Sequence, residues 1–245
     1  MVPIYGFGGR PRFPNLTSNQ TLHCFPLNGK VEDPYCFALE GIMEAYNYSL
    51  KNVELNGPTL FCPLLTEVMR MCQMSKDAGD NQYYILMILT DGQINDMEPT
   101  VKAIVDSSHL PLSIIIIGIG RADFTNMDTL DGDAGLWDVT GRKAQRDLVQ
   151  FVEFNKFEGD GTALAANVLE ELPRQLVEYM KLVGKEPGNG KGEVGKMVLN
   201  VGQMSYQVEN FWIKFISFGL IYNLYLSMMS FESFFKMDNL SLFLN

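Results

Sequence analysis

The sequence predicts an α/β protein built on an open, mostly parallel, doubly wound sheet flanked by helices. Two apolar runs carry that expectation: residues 83–90 (YYILMILT) and 110–118 (LPLSIIIIG). Each ends on a turn signal, Asp91-Gly92 in one case and Gly118-Ile119-Gly120 in the other. Short, nearly continuous apolar runs are how strands buried on both faces of a parallel sheet read. Between them, residues 99–108 (PTVKAIVDSS) place Val101, Ile104 and Val105 at helical spacing. Strand, helix and strand with short links make a βαβ unit with a right-handed crossover. Composition agrees: 245 residues, 47% hydrophobic and 20% charged, suffice for one large domain with a real core and exclude disorder throughout.

The remaining elements follow in order. Residues 35–48 read as a helix with Phe37, Leu39, Ile42, Met43 and Tyr46 on its core face. Residues 59–75 read as a second, with Leu64, Leu65, Val68 and Met71 or Cys72 inward. Asn95 or Asp96 is placed to cap the helix over 99–108. Residues 142–147 are polar, helix or loop, and residues 148–154 are a short strand candidate. The strongest helical pattern runs over 162–182, where Leu164, Val168, Leu169, Leu172, Leu176, Val177 and Met180 recur at three and four. Pro173 inside it predicts a kink or break. Alternating helices and strands imply helices on both faces of the sheet.

Charge and cysteine usage narrow the function. With 19 Lys and Arg against 29 Asp and Glu, the net charge is −10. That sign repels phosphate backbones, and no basic cluster offsets it, so nucleic acid is not an expected partner. The four cysteines, Cys24, Cys36, Cys62 and Cys72, have no CxxC spacing and match neither a zinc site nor a dense disulfide framework. Residues 1–10 lack the basic start and apolar run of a signal peptide. Together these features predict a cytoplasmic protein with reduced, mostly buried thiols.

In open α/β sheets ligands sit beyond the carboxyl ends of the strands. Asp91 follows one such strand, and its carboxylate suits a hard cation; Thr59, in a turn ahead of a helix, offers a hydroxyl. Each also has a structural explanation, Asp-Gly as a turn and Thr as a cap. Other candidates are weaker. Gly6-x-Gly8-Gly9 and Gly118-x-Gly120 do not complete a phosphate-binding GxGxxG. Residues 128–133 (DTLDGD) do not fit a calcium loop. His23 and Cys24 are adjacent in an extended segment and so point apart, which suits no catalytic pair. His109 reads as structural, Trp137 as core and Trp212 as an anchor of the tail.

Three segments resemble the A domain of the copines, a branch of the von Willebrand factor A family: residues 57–63 (GPTLFCP), 84–94 (YILMILTDGQI) and 110–133 (LPLSIIIIGIGRADFTNMDTLDGD). Residues 5–9 (YGFGG), 147–154 (DLVQFVEF) and the helix over 163–181 extend the likeness to residues 3–183. The resemblance implies a von Willebrand factor A-like fold with a metal-ion-dependent adhesion site at the carboxyl edge of the sheet. There an Asp-x-Ser-x-Ser loop, a Thr and an Asp hold Mg²⁺ or a similar ion. Thr59 and Asp91 match the last two. The loop, with the first strand and helix that carry it, belongs ahead of Tyr5 and is expected to be missing by truncation. Asp123-Phe124-Thr125-Asn126-Met127 only imitates the loop, since its fifth residue is Met127. Two oxygen ligands are too few to hold Mg²⁺ firmly, so metal binding is expected to be weak or absent. Loss of a central strand would expose neighbouring edges, unless another chain or the tail fills the gap.

The expected organisation is a partial copine-type A domain over 1–183, a flexible Gly/Lys-rich linker over 184–204 and a hydrophobic, aromatic tail over 205–245. Within the tail, residues 215–231 carry no charge over 17 positions, the lower limit for a membrane span. Three readings of the tail are a membrane-associating segment, a helix packed on the domain, and translated non-coding sequence; the last two are preferred. The resemblance implies a non-enzymatic intracellular module that binds proteins. Calcium-dependent phospholipid binding belongs to family modules outside this sequence, so the membrane is an indirect partner and the plasma membrane a secondary location. The alternatives are the A-domain fragment of a ubiquitin-ligase-type protein, whose RING finger this sequence lacks, and a membrane-associated regulator acting through the tail.

Overall fold

The computed structural model describes residues 1–185 apart from 81, 93, 133–134 and 158, together with the backbone of 198–199, 205–208, 211–219 and 240–241. The N-terminal elements are β1 (Val2–Gly6), β2 (Gly9–Phe13), β3 (Leu16–Thr17), β4 (Phe25–Pro26), β5 (Tyr35–Cys36), α1 (Ala38–Asn52), β6 (Val53–Leu55) and α2 (Cys62–Asp77). The central ones are β7 (Gln82–Thr90), α3 (Met97–Ser107), β8 (Leu112–Gly118), α4 (Thr125–Asp131) and β9 (Val149–Glu153). Then come α5 (Gly161–Val168), α6 (Leu172–Leu182), β10 (Val198–Leu199), β11 (Ser205–Val208), β12 (Phe211–Gly219) and β13 (Leu240–Ser241).

The main sheet runs β4-β1-β12-β7-β8-β9, with β5 also on β1 and β11 also on β12. Strands β1, β12, β7, β8 and β9 are mutually parallel. The two apolar runs are neighbours here, with Tyr84–Thr90 registered against Leu112–Gly118. Their continuous apolarity has a direct cause. Tyr83, Ile85 and Met87, with Ile115 and Ile117, face a core closed by α1, α5 and α6. Tyr84, Leu86 and Ile88, with Ile114 and Ile116, face a second core closed by α2 and α3. Side chains alternate sides along a strand, so a strand covered on both faces is apolar at every position. This is the doubly wound α/β arrangement that the sequence predicts.

Several local expectations change. The helix expected over 35–48 starts at Ala38, because Tyr35 and Cys36 pair with Pro3 and Val2 as a short strand. Its buried face is Ala45, Tyr46 and Ser49, with Ile42 and Met43 partly covered, and Phe37 is 70% exposed. The pattern over 162–182 breaks into α5 and α6 with Pro173 in the first turn of α6, where its missing N–H costs nothing. Val177 is exposed instead of inward, since α6 buries Leu172, Gln175 and Tyr179. Trp137 is also no core residue: it is 57% exposed and carries the Lys143 ammonium 5.6 Å above its ring.

The tail helix is corrected to a strand over Phe211–Gly219, which sits between β1 and β7. On one edge this strand pairs with β1 through Ser217–Gly219, and on the other with β7 through Trp212–Gly219. Trp212 falls in this strand; its side chain, most of the linker over 184–204 and residues 220–239 lie outside the described residues. Among the described residues no helix is long and apolar enough to cross a membrane.

Candidate functional site at the carboxyl edge of the sheet

Three loops meet where β1 and β7 end, and hydrogen bonds explain why. Asn56 ties the first two: its N–H donates to the Gly8 carbonyl at 3.0 Å, and its side-chain amide donates to the Thr21 hydroxyl. Thr59 and Asn95 tie the next pair. The Thr59 N–H donates to Asn95 Oδ1 at 2.8 Å, and the Asn95 N–H donates to the Thr59 carbonyl at 2.8 Å. Asn95 lies four residues beyond Asp91, so Thr59 is pinned against the loop that Asp91 begins. Asp91 itself directly follows Thr90, which is buried at the end of β7. Across the edge, the Ile119 N–H donates to the Thr90 carbonyl at 2.8 Å and fixes the turn after β8.

Asp96 has a role that reading along the chain misses. It stands before α3, yet its carboxylate makes no side-chain cap there. Instead it accepts from the N–H groups of Phe61 and Cys62, at 3.0 and 2.8 Å, across the start of α2. A helix N-terminus leaves N–H donors without intrahelical partners and carries partial positive charge, so a carboxylate is favoured there. The cap comes from a residue 34 or 35 positions away in sequence, and no local spacing signals it. Asn56 and Asn95 escape a reading by motif for the same reason.

The other candidates resolve into structural roles. Burial pushes the Cys24 thiol up to about 12, with the Glu67 carboxylate adding to the effect. Burial also lowers His23 from its ordinary value, against the pull of Asp96. Neither change activates a nucleophile, which needs a lowered thiol pKa beside a base. The Cys72 thiol is likewise pushed up to about 12 by burial, and all four cysteines are free. Asp123 accepts from the Thr125 N–H at 3.0 Å and hydroxyl at 2.6 Å, a local turn at the start of α4. Asp131 accepts from the Phe151 N–H at 2.8 Å and so anchors α4 to β9. His109 sits on the Asp106 carbonyl at 2.8 Å. Gly118 is needed because a Cβ there would meet the Phe124 ring at 2.9 Å.

Thr59 and Asp91 are brought to one edge as adjacent-loop residues. Mg²⁺ wants six oxygens in near-octahedral array and dehydrates reluctantly. The candidate set supplies one hydroxyl and one carboxylate, and among the described residues no group of three or more His, Cys, Asp and Glu converges. The donors present do not fit a firmly held divalent ion.

Comparison with known proteins gives this edge its family. The copine family model matches residues 1–188. The chain belongs to the copine family. It is 40% identical to Copine-C of Dictyostelium discoideum over 187 residues, which is 76% of this chain and 34% of that protein. It is 41% identical to Copine-A of the same organism over 181 residues, 74% of this chain and 30% of that one. The chain thus spans about a third of the length of the copines it matches. The matched region contains every described element from β1 to α6, and with them the carboxyl-edge loops of a copine A domain.

Proposed function

We propose that this copine A domain is a non-enzymatic, intracellular protein-binding module, and that the partner docks on the carboxyl edge formed by the loops of Thr59 and Asp91. The observation that carries the reading is the joining of those two loops by the reciprocal Thr59–Asn95 bonds, with Asn56 tying the Thr59 loop to Gly8 and Thr21; this presents a preformed polar surface where open α/β sheets take their ligands. Thr59 and Asp91 act there mainly as hydrogen-bonding contacts; any Mg²⁺ they share is weakly held. Calcium-dependent phospholipid binding, the property of the family as a whole, reaches this chain only through other modules. The location that fits is the cytoplasm, with contact to the plasma membrane through partners.

The test immobilises the purified chain, passes cytosolic extract over it and quantifies bound proteins by mass spectrometry. Recovery of the specific set is expected to fall at least tenfold for the double variant Thr59→Ala and Asp91→Ala, and to hold for Lys181→Ala at the far end of α6. Equal recovery on all three surfaces would rule out the carboxyl edge as the docking site.

A further inference from the structure

A cavity of about 230 Å³ opens at the amino edge of the sheet, where β9 begins. It lies between the end of α4, the loop over 143–148 and α6, and so stands apart from the loops of Thr59 and Asp91. Its walls carry both signs of charge. Asp147 and Glu178 pair with the Arg174 guanidinium at 2.8 and 3.5 Å, and Asp131 accepts from the Phe151 N–H. Two further cations, Arg146 and Lys143, line the cavity.

Neither has an acid partner among the described residues. The terminal nitrogens of Arg146 donate to main-chain carbonyls, and its buried Nε–H meets no acceptor among those residues. A buried guanidinium without an anion is costly, and an unmatched donor adds to that cost. Lys143 is exposed but held in place. Its ammonium lies 5.6 Å from the centroid of the Trp137 ring, and it crosses Gly135, where a Cβ would stand 2.8 Å from it.

The rim beside Lys143 is apolar and fixed. Trp137 and Val139 are 57% and 69% exposed, on either side of buried Asp138. The Asp138 carboxylate accepts from the Thr140 N–H and hydroxyl and from the Arg142 N–H, and pairs with the Arg142 guanidinium at 2.6 Å. The turn therefore keeps its shape while its two apolar side chains face water. A tryptophan presented in this way is the kind of anchor that dominates protein interfaces.

We propose that this cavity binds the side-chain carboxylate of an acidic peptide segment, with Arg146 and Lys143 taking the charge and Trp137 and Val139 taking the apolar residues beside it. A carboxylate is favoured over a dianionic phosphate because Asp131, Asp147 and Glu178 line the same walls. The space equals several waters at about 30 Å³ each, enough for an acidic side chain. The site is separate from the carboxyl edge and does not depend on the role proposed there.

Heteronuclear NMR titration of the full chain tests it, read at the Arg146 Nε–H and the Trp137 indole N–H. The probe is the blocked peptide acetyl-Phe-Glu-Phe-amide, with acetyl-Phe-Gln-Phe-amide as its uncharged match. The acidic peptide is expected to shift both signals together and saturably, with a Kd in the millimolar range or tighter, and the neutral one to bind at least about tenfold more weakly. Lys143→Ala, an exposed change that leaves the Arg146 bonds in place, should weaken the acidic peptide about two- to fivefold. Equal binding of the two peptides, or no saturation by about 10 mM, would overturn the proposal. So would inorganic phosphate that matches the acidic peptide at the same two signals, since that marks a general anion site. Shifts confined to the loops of Thr59 and Asp91 would overturn it too, by placing the peptide at the carboxyl edge.

Discussion

Replacing Arg146 with methionine is expected to destabilise the domain by about 3–5 kcal/mol, because several buried carbonyls lose a charged donor at once. Arg146 is 7% exposed, and its guanidinium lies against the rings of Tyr83 and Tyr179, at 6.0 and 5.6 Å from their centroids. It donates to the carbonyls of Leu110, Leu112, Asp147 and Gln175, thus joining the start of β8, the approach to β9 and α6. Methionine keeps much of the apolar stem but leaves those carbonyls without their donor in a buried place. Lysine should recover less than half of the loss, because one ammonium cannot span the carbonyls that the planar fork reaches. At roughly 2–4 °C per kcal/mol for a chain of this size, the methionine variant should melt about 6–20 °C lower by circular dichroism. A loss below about 1 kcal/mol would show that the network is not a keystone.

Ser217→Pro is expected to cost about 3 kcal/mol or more. Ser217 stands opposite both Ile4 and Met87, so it lies where β12 has a neighbour on each edge. Proline removes a ladder donor and is tolerated in sheets essentially only at edges and bulges. Ser217→Ala keeps the N–H and should fall within about 0.5 kcal/mol of the parent. Urea unfolding with both variants checks this, and a proline variant as stable as the alanine one would mean the tail contributes nothing to the sheet.

Both variants bear on what can be read from sequence. The strands over 82–90 and 112–118 are legible because both their faces are buried, which makes the apolar run continuous. The break at Pro173 is legible because a missing N–H acts locally. Features settled by distant segments are not. Phe37 has helical spacing but is left outside when residues 35–36 are taken by the edge of β1. Arg146 sits in a polar stretch that reads as helix or loop, and only the convergence of β8, β9 and α6 gives its charge a buried lining of carbonyls. The strand over 211–219 has a composition that suits a membrane segment, a packed helix or a strand alike. Its parallel neighbours decide, and they lie more than a hundred residues away.

The candidate site divides in the same way. Thr59 and Asp91 stand out through their turn motifs and their likeness to the copine pattern. Asn56, Asn95 and Asp96 build the edge that holds them, and their bonds cross between loops that no spacing rule connects. The resemblance also supplies the expectation of a metal site, and the chemistry of the donors limits it, because a hydroxyl and one carboxylate leave most of an Mg²⁺ coordination sphere to water.

Isothermal titration of the full chain with Mg²⁺ or Mn²⁺ tests most directly that this copine A domain works through its protein surface without a firmly held ion. No saturable binding is expected at micromolar metal, and Asp91→Ala should leave the titration unchanged. Micromolar affinity that Asp91→Ala abolishes would contradict it.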